Sequence, residues 1–317
     1  PAVGQNRPRS AVIPMRPRRC RVCVKPTPYF RRNSPISAKV DMVLRCILRQ
    51  LLAAILGVFT LATAALAQDS ALKALDNGVD AAAWEAVGRL DIGGTGFCTG
   101  TLIAPRLVLT AAHCLFDRET KARIDHGEVQ FLAGWRNGRA GAYRDIRRAV
   151  VHPDYVYDGE VSSGRVRNDL ALLELSRPIR NTTIRPFGTA ARPRPGDSVG
   201  VVSYARDRAE APSLQEVCKV LAQQEGVLVT SCSVDFGSSG APIFSIVAGE
   251  AHIVSVVSAK AEVEGTQVSL GTALGAPLAL LQAELVAGKG VFLDSNPAGK
   301  RIRVGEERGT GAKFIRP

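Results

Sequence analysis

The sequence predicts an all-β protein built from antiparallel barrels or sandwiches, and three observations lead there. Short apolar runs recur along the chain at close spacing. Gly, Pro, Asn and Asp separate them. Aromatic residues make up only 5% of the chain, so small aliphatic side chains must build most of the core.

The runs can be placed in order from Trp84 onward. Arg106–Thr110, Leu170–Leu175, Ser198–Ser203, Gly226–Thr230 and His252–Val257 read as strands. Arg185–Gly196 holds three prolines and no apolar run, so it reads as a linker between two halves. Pro277–Val286 reads as a short closing helix with proline in its first turn. Residues 68–80 read as a short flexible lead, or a pro-segment over 68–78, and residues 288–317 as a polar tail.

The front of the chain has a different character. Arg45 and Arg49 precede an uncharged apolar stretch, Leu51–Leu66, which ends in Ala65-Leu66-Ala67. This is the pattern of a secretory signal over 42–67, cleaved near Ala67-Gln68, and it implies a secreted or periplasmic protein. The rival reading, a retained membrane anchor, needs about 20 apolar residues. The expectation is therefore no stable membrane anchor. Residues 1–41 are rich in Arg and Pro without periodicity. They read as a non-native extension upstream of Met42, or as a disordered basic one.

Charge follows the same division. The net charge is +12, yet residues 1–41 carry ten Lys or Arg against one acid, Asp41. From Gln68 onward 29 basic residues face 28 acidic ones. Composition thus gives no reason to expect a nucleic-acid partner. The CxxC of Cys20 and Cys23 has no second pair and carries no metal expectation. With Cys46 also set aside, four cysteines remain in the exported part. They allow three pairings, of which Cys98–Cys114 and Cys218–Cys232 are the local choice.

Three segments carry chemistry: Leu109-Thr-Ala-Ala-His-Cys114, Asn168-Asp-Leu-Ala-Leu-Leu-Glu-Leu175 and Gly237-Ser-Ser-Gly-Ala-Pro242. A serine hydroxyl becomes a nucleophile at neutral pH only beside a base, and the base must be held in one tautomer. His113 is the candidate base, Asp169 the orienting carboxylate and Ser239 the nucleophile. The glycines around Ser239 permit a tight turn that directs the N–H groups of Gly237 and Ser239 toward a developing oxyanion.

These segments, in the order His, Asp, Ser, resemble the motifs of trypsin-like serine peptidases. Phe97–Ile103 leading into Leu109–Cys114 is similar to the family's histidine region, and Gly237–Pro242 is similar to its G-D-S-G-G-P. The resemblance covers residues 79–285. It implies two antiparallel six-stranded Greek-key β-barrels packed across a catalytic cleft, with a short C-terminal helix. The His and Asp belong to the first (79–190) and the Ser to the second (191–287). It also implies hydrolysis of peptide bonds through an acyl-enzyme intermediate. Protein or peptide substrates, no cofactor, no metal and a monomeric state are expected.

Three positions depart from the pattern. Ser238 stands where digestive members carry an Asp that pairs with a new N-terminus after zymogen cleavage, so that switch is not expected here. Cys232–Gly237 is short and resembles bacterial members such as the glutamyl endopeptidases. Ala241 replaces a glycine. Ser238 adjoins Ser239, but the Gly-x-Ser-Gly-x-Pro pattern selects Ser239. His152 and Asp154 read as surface residues of a Pro- and Tyr-rich turn. For substrate binding the resemblance points to Ser233, six residues before the nucleophile, and to Ser258 and Lys260. Lys260 reads either as a solvated side chain or as a rim group able to accept an acidic substrate side chain. A catalytically silent homologue acting as an extracellular binding module is the alternative function.

Overall fold

The computed structural model describes residues 69–291 apart from 95, 159 and 160. The expected basic extension, the signal segment and the tail beyond Val291 lie outside the described residues.

The first half is a closed antiparallel barrel. After β1 (Lys73–Ala74) and a short helix, α1 (Gly78–Ala81), the chain forms β2 (Val87–Ile92), β3 (Gly96–Ala104) and β4 (Leu107–Thr110). Then come β5 (Val129–Ala133), β6 (Ala142–Val151), α2 (Ser163–Asn168) and β7 (Ala171–Leu175). The barrel closes in the order β2-β3-β4-β7-β6-β5. Strand β7 is buried at every position, which explains its near-continuous apolar sequence. Its one carboxylate, Glu174, is held by Arg148 at 2.5 Å and Arg147 at 3.3 Å, so the buried charge is paired.

The second half contains β8 (Ser198–Ala205), β9 (Arg208–Gln224), β10 (Val227–Thr230), β11 (Pro242–Val247), β12 (Glu250–Val263) and β13 (Thr266–Ala273). They pair in the order β9-β10-β13-β12-β11-β8, and a further β8–β9 pairing joins the two ends. Strand β1 adds to β9 as a seventh member. Three hairpins here turn on an X-Gly pair with both residues at positive φ: Glu225-Gly226, Ala248-Gly249 and Glu264-Gly265. That geometry matches the twist of the flanking strands.

The lead differs from the flexible segment expected. Lys73 pairs with Leu214 and Ala74 with Ser213. Leu75 is only 1% exposed, and its N–H donates to the Pro212 carbonyl at 2.9 Å. A buried leucine and an open sheet edge together hold a stretch whose composition looks like a loose linker.

The two halves share apolar core. Trp84 before β2, Phe187 in the linker and Phe244 in β11 pack mutually as tilted rings, with ring centroids 4.7–5.8 Å apart. The closing helix, α3 (Gly275–Val286), buries Leu278, Leu281 and Leu285 and packs on β6 and β7 of the first barrel. Arg148 donates to the Leu285 carbonyl near its end. Among the described residues no helix is long and apolar enough to cross a membrane.

Candidate active site

His113 lies in a single 3₁₀ turn, Ala112–Leu115, immediately after β4. The turn is fixed from both sides. Cys114 is bonded to Cys98 of β3, and the His113 N–H donates to Asp169 Oδ1 at 2.8 Å. Asp169 follows α2 and is 1% exposed. Its Oδ2 lies 2.7 Å from His113 Nδ1. This contact favours the tautomer with the proton on Nδ1 and leaves Nε2 as the basic nitrogen.

The carboxylate has a third partner from the other half of the molecule. Ser258 Oγ, on β12, donates to Asp169 Oδ2 at 2.5 Å. Thr272 Oγ1, on β13, donates to the Val166 carbonyl at 2.6 Å. The second half therefore holds both the Asp169 side chain and the helix before it. Burial is the main reason the Tyr155 phenol is pushed far up, and the nearby Asp169 charge adds to it.

Ser239 is half-buried and lines one cleft with His113, Val257, Ser258 and Tyr157. It sits between Gly237 (φ +99°) and Gly240 (φ +79°). A Cβ at Gly237 would meet the Phe97 ring at 2.3 Å, and one at Gly240 would meet Thr110 Oγ1 at 2.1 Å. Glycine is required at both for conformation and for space. Thr99 of β3 fastens this turn to the first barrel. Its N–H donates to the Ser239 carbonyl at 2.8 Å and its hydroxyl to the Gly237 carbonyl at 2.8 Å. Among the described residues the N–H groups of Gly237 and Ser239 have no protein acceptor, whereas those of Ser238 and Gly240 donate to Asp235 and Val257.

Ser238 points the other way. It is fully buried, and its hydroxyl donates to the Tyr204 carbonyl at 3.0 Å and reaches Ser203 Oγ at 3.2 Å. The Asp235 N–H donates to it at 3.2 Å. The structure thus separates the adjacent serines, one facing the cleft and one serving as an internal brace.

The other candidates fall into three places. Lys260 is on the cleft rim, but its ammonium is already bound to Asp235 Oδ1 at 2.7 Å and lies 4.8 Å from the Phe236 ring centroid. That ion pair, and the N–H of Phe236, hold the Asp235 carboxyl below its usual range. Ser233 does not line the cleft. It lines a hollow of about 200 Å³ that shares Val234 and Lys260 with it. Ser258 lines the cleft but is spent on Asp169.

His152 corrects an expectation: it is 6% exposed, not on the surface. Its N–H donates to the Leu170 carbonyl and its Nδ1 accepts from the Asp154 N–H, so it shapes a turn. Burial lowers its pKa. Both Cys98–Cys114 and Cys218–Cys232 are disulfide-bonded. The one Cys/His grouping among the described residues, Cys98, His113 and Cys114, therefore offers no thiolate to a metal.

A closed β-barrel and a second sheet that meets its own end, joined across a cleft with a His–Asp pair and a serine turn, define the chymotrypsin-like class of folds. Comparison with known proteins agrees. The trypsin family model matches residues 77–270, and the chain belongs to that family. Glutamyl endopeptidase of Bacillus licheniformis is 28% identical over 151 residues, 47% of this chain and 45% of that protein. Serine protease 23 of Mus musculus is 27% identical over 164 residues, 46% of this chain and 42% of that protein. The chain thus spans less than half the length of these curated relatives. In fold, a Glu endopeptidase solved in complex with MPD superposes with a TM-score of 0.55 at 18% identity, covering 70% of this chain and 98% of that one. The resemblance to the glutamyl endopeptidase side of the family holds.

Proposed function

We propose that the protein is a secreted serine endopeptidase in which Ser239 attacks the peptide carbonyl, His113 takes and returns its proton, and Asp169 orients His113. The observation that carries this reading is the buried Asp169 carboxylate. It is bound at once by the His113 ring, the His113 N–H and Ser258 Oγ, and it shares its neighbourhood with a serine turn whose Gly237 and Ser239 N–H groups have no protein acceptor among the described residues.

On this reading the three side chains divide the chemistry as follows. With Nδ1 engaged by Asp169, Nε2 accepts the Ser239 proton as Oγ adds to the carbonyl carbon. The Gly237 and Ser239 N–H groups stabilise the resulting oxyanion. The C–N bond breaks as Nε2 protonates the leaving amine, giving an ester on Ser239. A water molecule, deprotonated by the same nitrogen, then adds to the ester carbonyl, and Nε2 passes that proton to Ser239 Oγ as the C–O bond breaks. Every proton required is carried by His113, and the residues need no cofactor.

Labelling of the full-length protein by a fluorophosphonate tests the reading. Labelling lost in Ser239→Ala and kept in Ser238→Ala is the expected result. A folded wild-type protein that neither labels nor cleaves any peptide would instead favour the silent binding module.

A further inference from the structure

The lead strand and the loop before the nucleophile meet at one buried side chain. Gln215, on β9, is 4% exposed. Its Nε2 donates to the Ser70 carbonyl at 3.0 Å, and its Oε1 accepts from the Ser233 N–H at 2.7 Å. A carbonyl can only accept and an N–H can only donate, so both ends of the amide are assigned by chemistry. Ser70 is itself anchored. Its N–H donates to the Val217 carbonyl at 2.8 Å, and the Val217 N–H donates to Ser70 Oγ at 2.9 Å.

We infer that Gln215 is a positioning residue through which the docked lead, Ser70–Leu75, sets the loop at Ser233 and, through that loop, a pocket for substrate beside the cleft. This rests on the peptidase reading above. Ser233 follows Cys232 directly and lines the hollow that shares Val234 and Lys260 with the cleft of His113 and Ser239. If the lead leaves β9, Gln215 loses the acceptor of its amide group, and a buried amide with one end unpaired reorients to find another partner. The Ser233 N–H then loses its acceptor too. Docking of the lead is thereby converted into the shape of a substrate pocket, with no part in the proton transfers.

The test uses the full-length protein carrying Ser70→Pro, Gln215→Leu, Gln215→Glu or the Ser70→Pro/Gln215→Leu pair. Glutamate keeps an acceptor for Ser233 but sets an oxygen against the Ser70 carbonyl. Each single variant is expected to raise KM about tenfold, the net worth of one such hydrogen bond. Turnover of the bound substrate and fluorophosphonate labelling of Ser239 are expected to stay near wild type. The pair is expected to cost no more than either single change, because both cut one connection. Unchanged KM, a loss confined to kcat, or additive effects would overturn the inference. Hydrogen exchange on the wild-type protein provides a second arm that needs no variant. The Ser233 and Val217 amides should open together with equal protection. Protection differing by more than about tenfold would sink the coupling. A wild type that neither labels nor cleaves would refute the peptidase reading alone, and the exchange result would still decide the coupling.

Discussion

Ser258 Oγ on β12 donates to Asp169 Oδ2 at 2.5 Å, so a hydroxyl from the second half completes the solvation of a carboxylate that serves a histidine of the first. A charge-assisted hydrogen bond of this kind contributes about 1.5–3 kcal/mol. Ser258→Ala should therefore lower kcat/KM by about 10- to 100-fold. Steady-state kinetics on a peptide substrate measures it, and an unchanged kcat/KM would show that the hydroxyl has no part in orienting Asp169.

Gly240 is the position at which a single methyl group should do most harm. Its φ is +79°, and a Cβ there would lie 2.1 Å from Thr110 Oγ1 and 2.2 Å from the Thr99 carbonyl. Gly240→Ala should destabilise the fold by about 2 kcal/mol or more, through left-handed strain and overpacking. Urea unfolding gives the number, and activity should fall with it because Ser239 is the preceding residue. A variant of wild-type stability would contradict the geometry.

The Lys260–Asp235 pair makes a prediction about selectivity. While Asp235 holds the ammonium at 2.7 Å, an acidic substrate side chain must compete for it. Asp235→Asn should release Lys260 and raise the ratio of kcat/KM for acidic over neutral side chains next to the cleaved bond. The gain should be modest, about three- to tenfold, because the rim is solvated. A matched peptide panel tests it, and an unaltered ratio would leave Lys260 without a role in selection.

Stability should fall in mildly acidic solution because of His152. Burial lowers its folded pKa from the ordinary value of 6.5. Below that value the unfolded chain binds a proton that the folded chain refuses. Stability is thus fully present above about 6.5 and declines as pH drops toward the folded pKa. Denaturant melts of wild type and His152→Asn at pH 7.5 and 5.5 compare the slopes. The variant should show the smaller loss, and equal losses would assign the effect to other groups.

The Cys98–Cys114 bridge closes a loop with a sequence separation of 16 around the candidate base. Replacing both cysteines by serine should cost about 3 kcal/mol. It should also slow labelling of Ser239, because Cys114 follows His113 directly. Replacement of the pair at 218 and 232 should cost comparable stability. Thermal melts beside labelling rates separate the two effects.

Much of this was readable from residue order, for stated reasons. Runs such as Ala171–Leu175 are buried on both faces, so apolarity alone marks them. The candidate base, carboxylate and nucleophile lie in short stretches whose glycines and cysteines are local requirements. The β8-to-β13 hairpins were harder. They turn on Glu-Gly and Ala-Gly pairs rather than Asn-Gly, so their signal was only a glycine. The docking of Ser70–Leu75 could not be read, because strand addition depends on an edge contributed some 140 residues later. Gln215 was missed for the same reason. Its two partners are 145 and 18 positions away, and one polar residue within a strand carries no local mark. The burial of His152 was hidden by a Pro- and Asp-bearing neighbourhood that imitates surface.

Thr99 gives the two halves of the molecule a common fate. Its hydroxyl donates to the Gly237 carbonyl and accepts from the Tyr204 N–H, while its own N–H holds the Ser239 carbonyl. One side chain of the first barrel is thus knotted into the very turn that presents Ser239, the candidate nucleophile. Any slippage between the halves large enough to admit a bulkier substrate would dismantle that turn first. On the peptidase reading the cleft is therefore a gap of set width, and a change of substrate would come from recutting its rim, not from prying it open.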